Sequence, residues 1–270
     1  MSDKKTSLRN QDKLLSDTLL TQDDPKPVDV LNIDRLGETN ILIICDHASN
    51  KVPRKLNQLG VDDTVLNQHI GSDIGTDKLG PYIANALNAP AVISGFSRLV
   101  IDLNRDTDSK NSIPEVSDHI KVPGNQNLSK DQKQKRLEEL YRPYHQKIDD
   151  CIDIIKGKGK KPFVISIHSF TPEMDGKKRE TDIGILWNEN KDISLRLIGA
   201  LRNLAPAAKI DGNAPYSLLD APHLNHTINK HNLNQSDANI LVEFKQDLIS
   251  DDAGVKKYGD LFVNALQDIL

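Results

Sequence analysis

The sequence predicts an α/β sandwich built on a mainly parallel sheet, and three observations carry that reading. Short unbroken apolar runs recur at 40–45 (NILIIC), 163–167 (FVISI) and 239–244 (NILVEF), as expected of strands buried on both faces. Amphipathic stretches with apolar residues at helical spacing alternate with them. Several of the apolar runs end in polar, chemically capable residues, the pattern of a sheet whose strand ends carry a site.

Taken in order, residues 1–28 are polar and lack the apolar core of an export signal, so they read as a tail or short peripheral helix. Residues 29–270 then suit one domain. The first strand is 40–45, and a helix over 76–87 follows the GSDIG turn. AVIS at 91–94 reads as a second strand and LVIDL at 99–103 as a third. From about 129 to 156 runs a long helix with Leu137, Leu140, Tyr141, Tyr144, Ile148, Ile152 and Ile155 on one face, kinked or split by Pro143. GKGKK at 157–161 is a loop. Strands at 163–167 and 182–187, a helix over 193–203, the strand at 239–244 and a closing helix from about 252 complete the pattern.

Composition excludes several functions. The 270 residues are 37% apolar and hold no window of the roughly 18 apolar residues that cross a bilayer. A net charge of −4 argues against nucleic acid as the partner. Two cysteines, Cys45 and Cys151, make neither a disulfide framework nor a four-cysteine zinc site, and with no export signal they suit the cytoplasm. Aromatics are only 4% of the chain, which disfavours a stacking platform, whereas eight histidines and 39 acids favour polar or metal chemistry.

Four clusters are placed for such chemistry. Asp46 and His47 leave the first strand, and His168 leaves FVISI in the same manner; two strands ending in histidine suit a shared metal, because neutral imidazole is a common zinc ligand. Each alone also fits a cap, a turn or a hydrogen-bonded structural histidine. Arg98, Asn104 and Arg105 lie within eight residues, and an arginine fork suits a carboxylate, although Asp102 and Asp106 offer the same arginines a structural network. Glu243 sits inside an apolar strand, where burial raises a carboxyl pKa into the range of a general base; on an edge strand it merely faces water. His145, His223, His226 and His231 fit loop and capping roles as readily as a site.

These motifs in this order (CDHASNKVP at 45–53, HIGSDIGTDKLG at 69–80, SRLVIDLNRD at 97–106, YRPYH at 141–145, ISIHSFTP at 165–172 and VEFKQDLI at 242–249) resemble the N-formylglutamate amidohydrolase family. That family is related to aspartoacylase and succinylglutamate desuccinylase and more remotely to zinc carboxypeptidases. The resemblance implies a three-layer α/β sandwich on a mixed, mainly parallel sheet, of zinc-carboxypeptidase type. It implies an amidohydrolase that cleaves a small N-acyl amino acid, with N-formyl-L-glutamate giving formate and glutamate. A divalent metal, zinc, would be held by His47 and His168. Arg98 matches the residue that polarises the scissile carbonyl or holds substrate, Asn104 and Arg105 the pair that grips the α-carboxylate, and Glu243 the acid that activates water.

Two departures stand out. Relatives with His-x-x-Glu would carry an acid where Asn50 stands, so the third metal ligand is open among Asp46, Asn50 and Asp73. Lys245 replaces an expected arginine on the strand face of Glu243. Other N-acyl groups, acetyl or succinyl, and a silent carboxylate-binding member are the alternative readings.

Overall fold

The computed structural model describes residues 18–231 and 238–270; most of the N-terminal stretch read as a tail, 1–17, lies outside them. Seven strands form one sheet: β1 (Val28–Leu31), β2 (Ile41–Cys45), β3 (Ala91–Ser94), β4 (Phe163–Phe170), β5 (Ile183–Leu186), β6 (Ile210–Gly212) and β7 (Ala238–Lys245). Their order is β1-β3-β2-β4-β7-β5-β6. The ladders from β3 through β2 and β4 to β7 are parallel, as is β5 with β6, while β1 pairs antiparallel with β3 and β5 antiparallel with β7. The sheet is therefore mixed and mainly parallel.

Alternation along the strands explains the three layers. Ile41, Ile43, Phe163, Ile165, Ile240 and Val242 face one side, where helices α1 (Thr76–Ala86), α4 (Lys191–Leu204) and α5 (Asp252–Gln267) cover them with Leu79, Leu197 and Phe262. Leu42, Ile44 and Val164 face the other, covered by Tyr144, Ile148, Ile152 and Ile155 of α3 (Arg142–Gly157). α2 (Lys130–Arg136) precedes α3 and starts on a capping box, in which Ser129 Oγ accepts from Gln132 N and Gln132 Oε1 from Ser129 N. Between α2 and α3 the chain makes a π-turn over Leu137–Tyr141. The long helix is thus split one turn before Pro143, which occupies the first turn of α3, where its missing N–H costs nothing.

The segment 99–103 is not a strand, contrary to its apolar pattern. Leu99, Val100, Ile101 and Leu103 are all buried, but among the described residues no strand pairs with them. Asn125 Nδ2 donates to Leu99 O (2.8 Å), Arg136 to Val100 O (2.8 Å), and Asp102 N donates to Ser112 O (2.7 Å). Side chains and a loop carbonyl thereby satisfy the backbone groups that a ladder would otherwise take.

Arg136 is the centre of that arrangement. It is 1% exposed and also donates to Asn125 Oδ1 (2.6 Å) and Gly124 O (3.0 Å), and burial pushes its pKa down to about 10. Truncation would orphan buried acceptors and leave a cavity. Arg136→Ala is expected to cost about 3–5 kcal/mol, read as a lower urea midpoint with unchanged m-value.

At the N-terminal side, Leu19 is buried in the α3-side core, and the backbone N–H groups of Leu19 and Leu20 donate to the Glu139 carboxylate (2.6 and 3.0 Å). No helix among the described residues is long and apolar enough to cross a membrane.

Candidate functional site

β2 lies between β3 and β4, both parallel to it. The chain leaves β2 toward β3 on one side and reaches β4 on the other, so a crevice opens at the carboxyl ends of these strands. His47 follows β2 and His168 lies near the end of β4. In the β4–β7 ladder Glu243 is directly opposite His168, which puts both side chains on the same sheet face. The sheet thus brings together three residues that are up to 196 positions apart in the chain (Glu243 and His47). All three line one cleft of about 440 Å³, together with Asp73, Arg98, Asp102, Asn104 and Arg105.

The two histidines are held by their far nitrogens. His47 Nε2 is 2.7 Å from Asp102 Oδ1, so the proton resides on Nε2 and Nδ1 turns toward Asp73 Oδ2 at 3.4 Å. His168 Nε2 is bonded to Ser166 Oγ (3.0 Å) and lies 3.3 Å from Asp46 Oδ2, while its Nδ1 is 2.8 Å from the same Asp73 oxygen. Asp46 is fixed in turn by Tyr144 Oη (2.8 Å) and Thr227 Oγ1 (2.9 Å), both donating to its Oδ1.

Two imidazole Nδ1 atoms and one carboxylate oxygen therefore face one another, with ligand atoms within 4.8 Å. Three electron-pair donors, buried and convergent, require a cation or a proton between them. Without an ion the proton serves: burial pulls the His168 pKa down, but its contacts with Asp46 and Asp73 override this and raise it to about 10. Burial would raise Asp73, yet the facing histidines hold it well below the usual carboxylate range. The donor set fits a divalent metal of the zinc type.

Of the three candidate third ligands, the structure brings Asp73 to the histidines. Asn50 instead donates to Asn67 Oδ1 (2.7 Å) and lines no part of the cleft. Asp46 stands behind His168 rather than beside Asp73. Asp73 comes from the loop before α1, where its backbone carbonyl also receives the Thr76 hydroxyl (2.7 Å).

Arg98 spans two acids, donating to Asp102 Oδ2 through Nε (3.2 Å) and Nη2 (2.8 Å) and to Asp73 Oδ1 through Nη1 (3.1 Å). The structural network weighed from sequence thus exists for Arg98 and Asp102. Among the described residues two of its five N–H groups have no partner, and Arg98 lines the cleft. Asn104 is buried and ties down a neighbouring segment, donating to Leu224 O and accepting from Thr227 N, each at 2.9 Å. Arg105 donates to Asn104 O (2.8 Å) and has no carboxylate partner among the described residues. Glu243 is 8% exposed and its Oε2 is buried with no hydrogen-bond partner among the described residues; burial, opposed by His168, raises its pKa to about 7.

Other sequence candidates lie elsewhere. Lys245 pairs with Asp182 (2.6 Å), away from the cleft lining. Cys45 is fully buried against Gly80, and burial raises its thiol pKa far from nucleophilic range. His145 links Leu103 O (3.0 Å) to His231 (2.9 Å), which bonds Asp149 (2.6 Å), and His226 bonds the Tyr141 hydroxyl (2.6 Å). Together they brace the segment that carries Thr227.

The sequence pattern did not single out Tyr216 or His69, both of which line the cleft. Tyr216 follows a cis Ala214–Pro215 bond, and the loop fits because position 184 is glycine: a Cβ there would fall 1.8 Å from Ala214 O. Two hairpins, Val116–Ser117 with Ile120–Lys121 and Glu173–Met174 with Lys177–Lys178, reach the mouth. There His69 faces Asp118 (3.2 Å) and His119 faces Asp175 (3.8 Å).

A sequence profile of the N-formylglutamate amidohydrolase family matches residues 39–250, a span that contains every cleft residue named above. Among solved structures, the gene product Atu2144 from Agrobacterium tumefaciens is 31% identical, with a TM-score of 0.82 over 93% of this chain and 99% of that one. The N-formylglutamate amidohydrolase from Ralstonia eutropha JMP134 shares the fold at 16% identity and a TM-score of 0.65, over 91% of this chain and 97% of that one. A search of curated proteins finds no match. With the profile spanning most of its length, this chain belongs to the N-formylglutamate amidohydrolase family and is a hydrolase of amide C–N bonds.

Proposed function

We propose that the protein hydrolyses the N-acyl bond of a small acyl amino acid, N-formyl-L-glutamate first among them, with a divalent metal, zinc, at His47, Asp73 and His168. The observation that carries this reading is Glu243, a buried carboxylate with one oxygen unpartnered among the described residues, directly opposite His168 on the neighbouring strand. Bound between the three donors, the ion would act as a Lewis acid and make water a nucleophile at neutral pH.

Each side chain then has a stated task. Glu243, as carboxylate, accepts the proton of the attacking water and returns it to the leaving amine. Asp102 and Asp46 fix the orientation of His47 and His168 and keep Nδ1 of each turned to the centre. The spare N–H groups of Arg98 face the position where negative charge develops on the scissile oxygen. Arg105, anchored on the backbone carbonyl of Asn104, binds the α-carboxylate, and the Asn104 side chain holds the Leu224–Thr227 segment in register. The products from N-formyl-L-glutamate are formate and glutamate.

The test is formate release from N-formyl-L-glutamate by zinc-loaded protein. Stoichiometric formate and glutamate support the reading, and no turnover of formyl, acetyl or succinyl amino acids with any divalent ion removes it. Arg105→Ala is expected to raise KM by roughly 10–100-fold, the loss of a charged hydrogen bond, with kcat little changed. Equal KM in the variant would take the α-carboxylate away from Arg105.

A further inference from the structure

Two hairpin turns meet at the mouth of the cleft. Asp118 and His119 form the two-residue loop between Val116–Ser117 and Ile120–Lys121, and Asp175 and Gly176 form the one between Glu173–Met174 and Lys177–Lys178. All four have positive φ, from 44° at Asp118 to 71° at Gly176. That backbone is the tight turn of a two-residue hairpin, which prefers aspartate or asparagine followed by glycine. The second turn follows the preference, whereas the first carries His119 where glycine would fit with least strain.

The side chains at the two tips converge. Ligand atoms of Asp118, His119 and Asp175 all lie within 4.8 Å of one another. His119 Nε2 is 3.8 Å from Asp175 Oδ1, too far for a hydrogen bond but within the roughly 4 Å that two metal–ligand bonds of about 2.0–2.2 Å span. Among the described residues none of the three side chains makes a hydrogen bond, and neither acid pairs with a lysine or arginine. From the cleft side His69 Nε2 comes to 3.2 Å of Asp118 Oδ2; that nitrogen is buried and has no aligned hydrogen-bond partner among the described residues. Asp118 and Asp175 also line the cleft, so two carboxylates without a cationic side chain stand at its entrance.

We propose that Asp118, His119 and Asp175 bind a divalent cation of the zinc class, distinct from the one proposed at His47, Asp73 and His168, which bridges the two hairpins across the cleft mouth. An imidazole beside two carboxylates suits zinc and its neighbours, whereas magnesium and calcium favour oxygen donors alone. The cation's two positive charges balance the two acids at the entrance. His69, behind Asp118, is a positioning residue. Because the three ligands are exposed on turn tips and must be ordered on binding, this site is weaker than the buried one.

The experiment is calorimetric titration of zinc into wild type, His119→Gly, Asp175→Asn and Asp73→Ala. Wild type is expected to show a tight event followed by a weaker one. His119→Gly and Asp175→Asn, on opposite hairpins, should each keep the tight event and weaken the second by roughly 10-fold or more, as expected when a ligand is lost. Asp73→Ala should show the weaker event alone. Asp-Gly is the preferred pair for such a turn, so His119→Gly should match or exceed the metal-free thermal midpoint of wild type. A weak event that persists in either hairpin variant is adventitious surface binding and overturns the inference, as does its absence from wild type. Loss in only one of the two variants removes the bridge and overturns it equally. A wild type that lacks the tight event but keeps a weaker one sensitive to both hairpin variants removes only the metal of the proposed function.

Discussion

Glu243→Gln is expected to lower kcat by roughly 10²–10⁴-fold while metal content stays at the wild-type level, because the substitution keeps shape and removes only the proton acceptor. Metal analysis alongside formate release checks both halves. The same carboxyl sets a pH signature. Burial raises its pKa to about 7, so the charged, proton-accepting form grows in as pH rises and activity rises with it. A cation at the neighbouring triad pulls that midpoint lower. The variant should lack this acidic limb, and a limb that persists in Glu243→Gln would assign it to another group.

Stability changes in the opposite direction, and the sign follows from linkage. The folded pKa of Glu243 lies above its ordinary value of 4.5, so the folded state holds the proton more tightly than the unfolded chain. Stability from this group is therefore full below about pH 4.5 and is lost as pH rises through about 7. In metal-free protein Glu243→Gln should unfold at a higher temperature than wild type at pH 8, with the advantage gone by about pH 4. Thermal scans at the two pH values measure it; an equal or larger advantage at low pH contradicts a buried, charged Glu243.

Asp73→Ala is expected to abolish stoichiometric metal binding. Groups behind a ligand are worth about 10–100-fold in affinity, so removing a direct carboxylate donor should cost at least the upper figure. Thermal stability offers a readout independent of catalysis. A metal at 100 times its Kd stabilises the native state by about 2.7 kcal/mol, and this increment should appear in wild type and vanish in Asp73→Ala. The variant loses a buried acid that faces Arg98 and both histidines, so its metal-free midpoint should also fall. Zinc-dependent stabilisation of wild-type size in Asp73→Ala would return the third ligand to Asp46.

Much of the fold was legible because burial on two faces writes an unbroken apolar run. β2, β4 and β7 could be read directly for that reason, as could the helices with one apolar stripe. β1 and β6 were not, since Val28–Leu31 and Ile210–Gly212 are short edge strands with little pattern. The 99–103 segment misled for a related reason: burial alone makes a sequence apolar, and partners decide whether it joins a ladder. Asn125 and Arg136, 22 or more residues downstream, take its carbonyls.

By itself the sequence determined the sandwich, the positions of His47, His168 and Glu243 at or near strand ends, and the family resemblance that gave them roles. Only the tertiary structure decided that Glu243 lies opposite His168, because register depends on how strands pair. It also decided that Asp73 and not Asn50 meets the histidines, and that Arg98 is shared between two acids. Side-chain type fixes what a residue can donate or accept; which partner it meets depends on chain segments brought together only when the core closes. The eight histidines separate on that ground, two sharing one carboxylate oxygen and three others forming struts for a neighbouring segment.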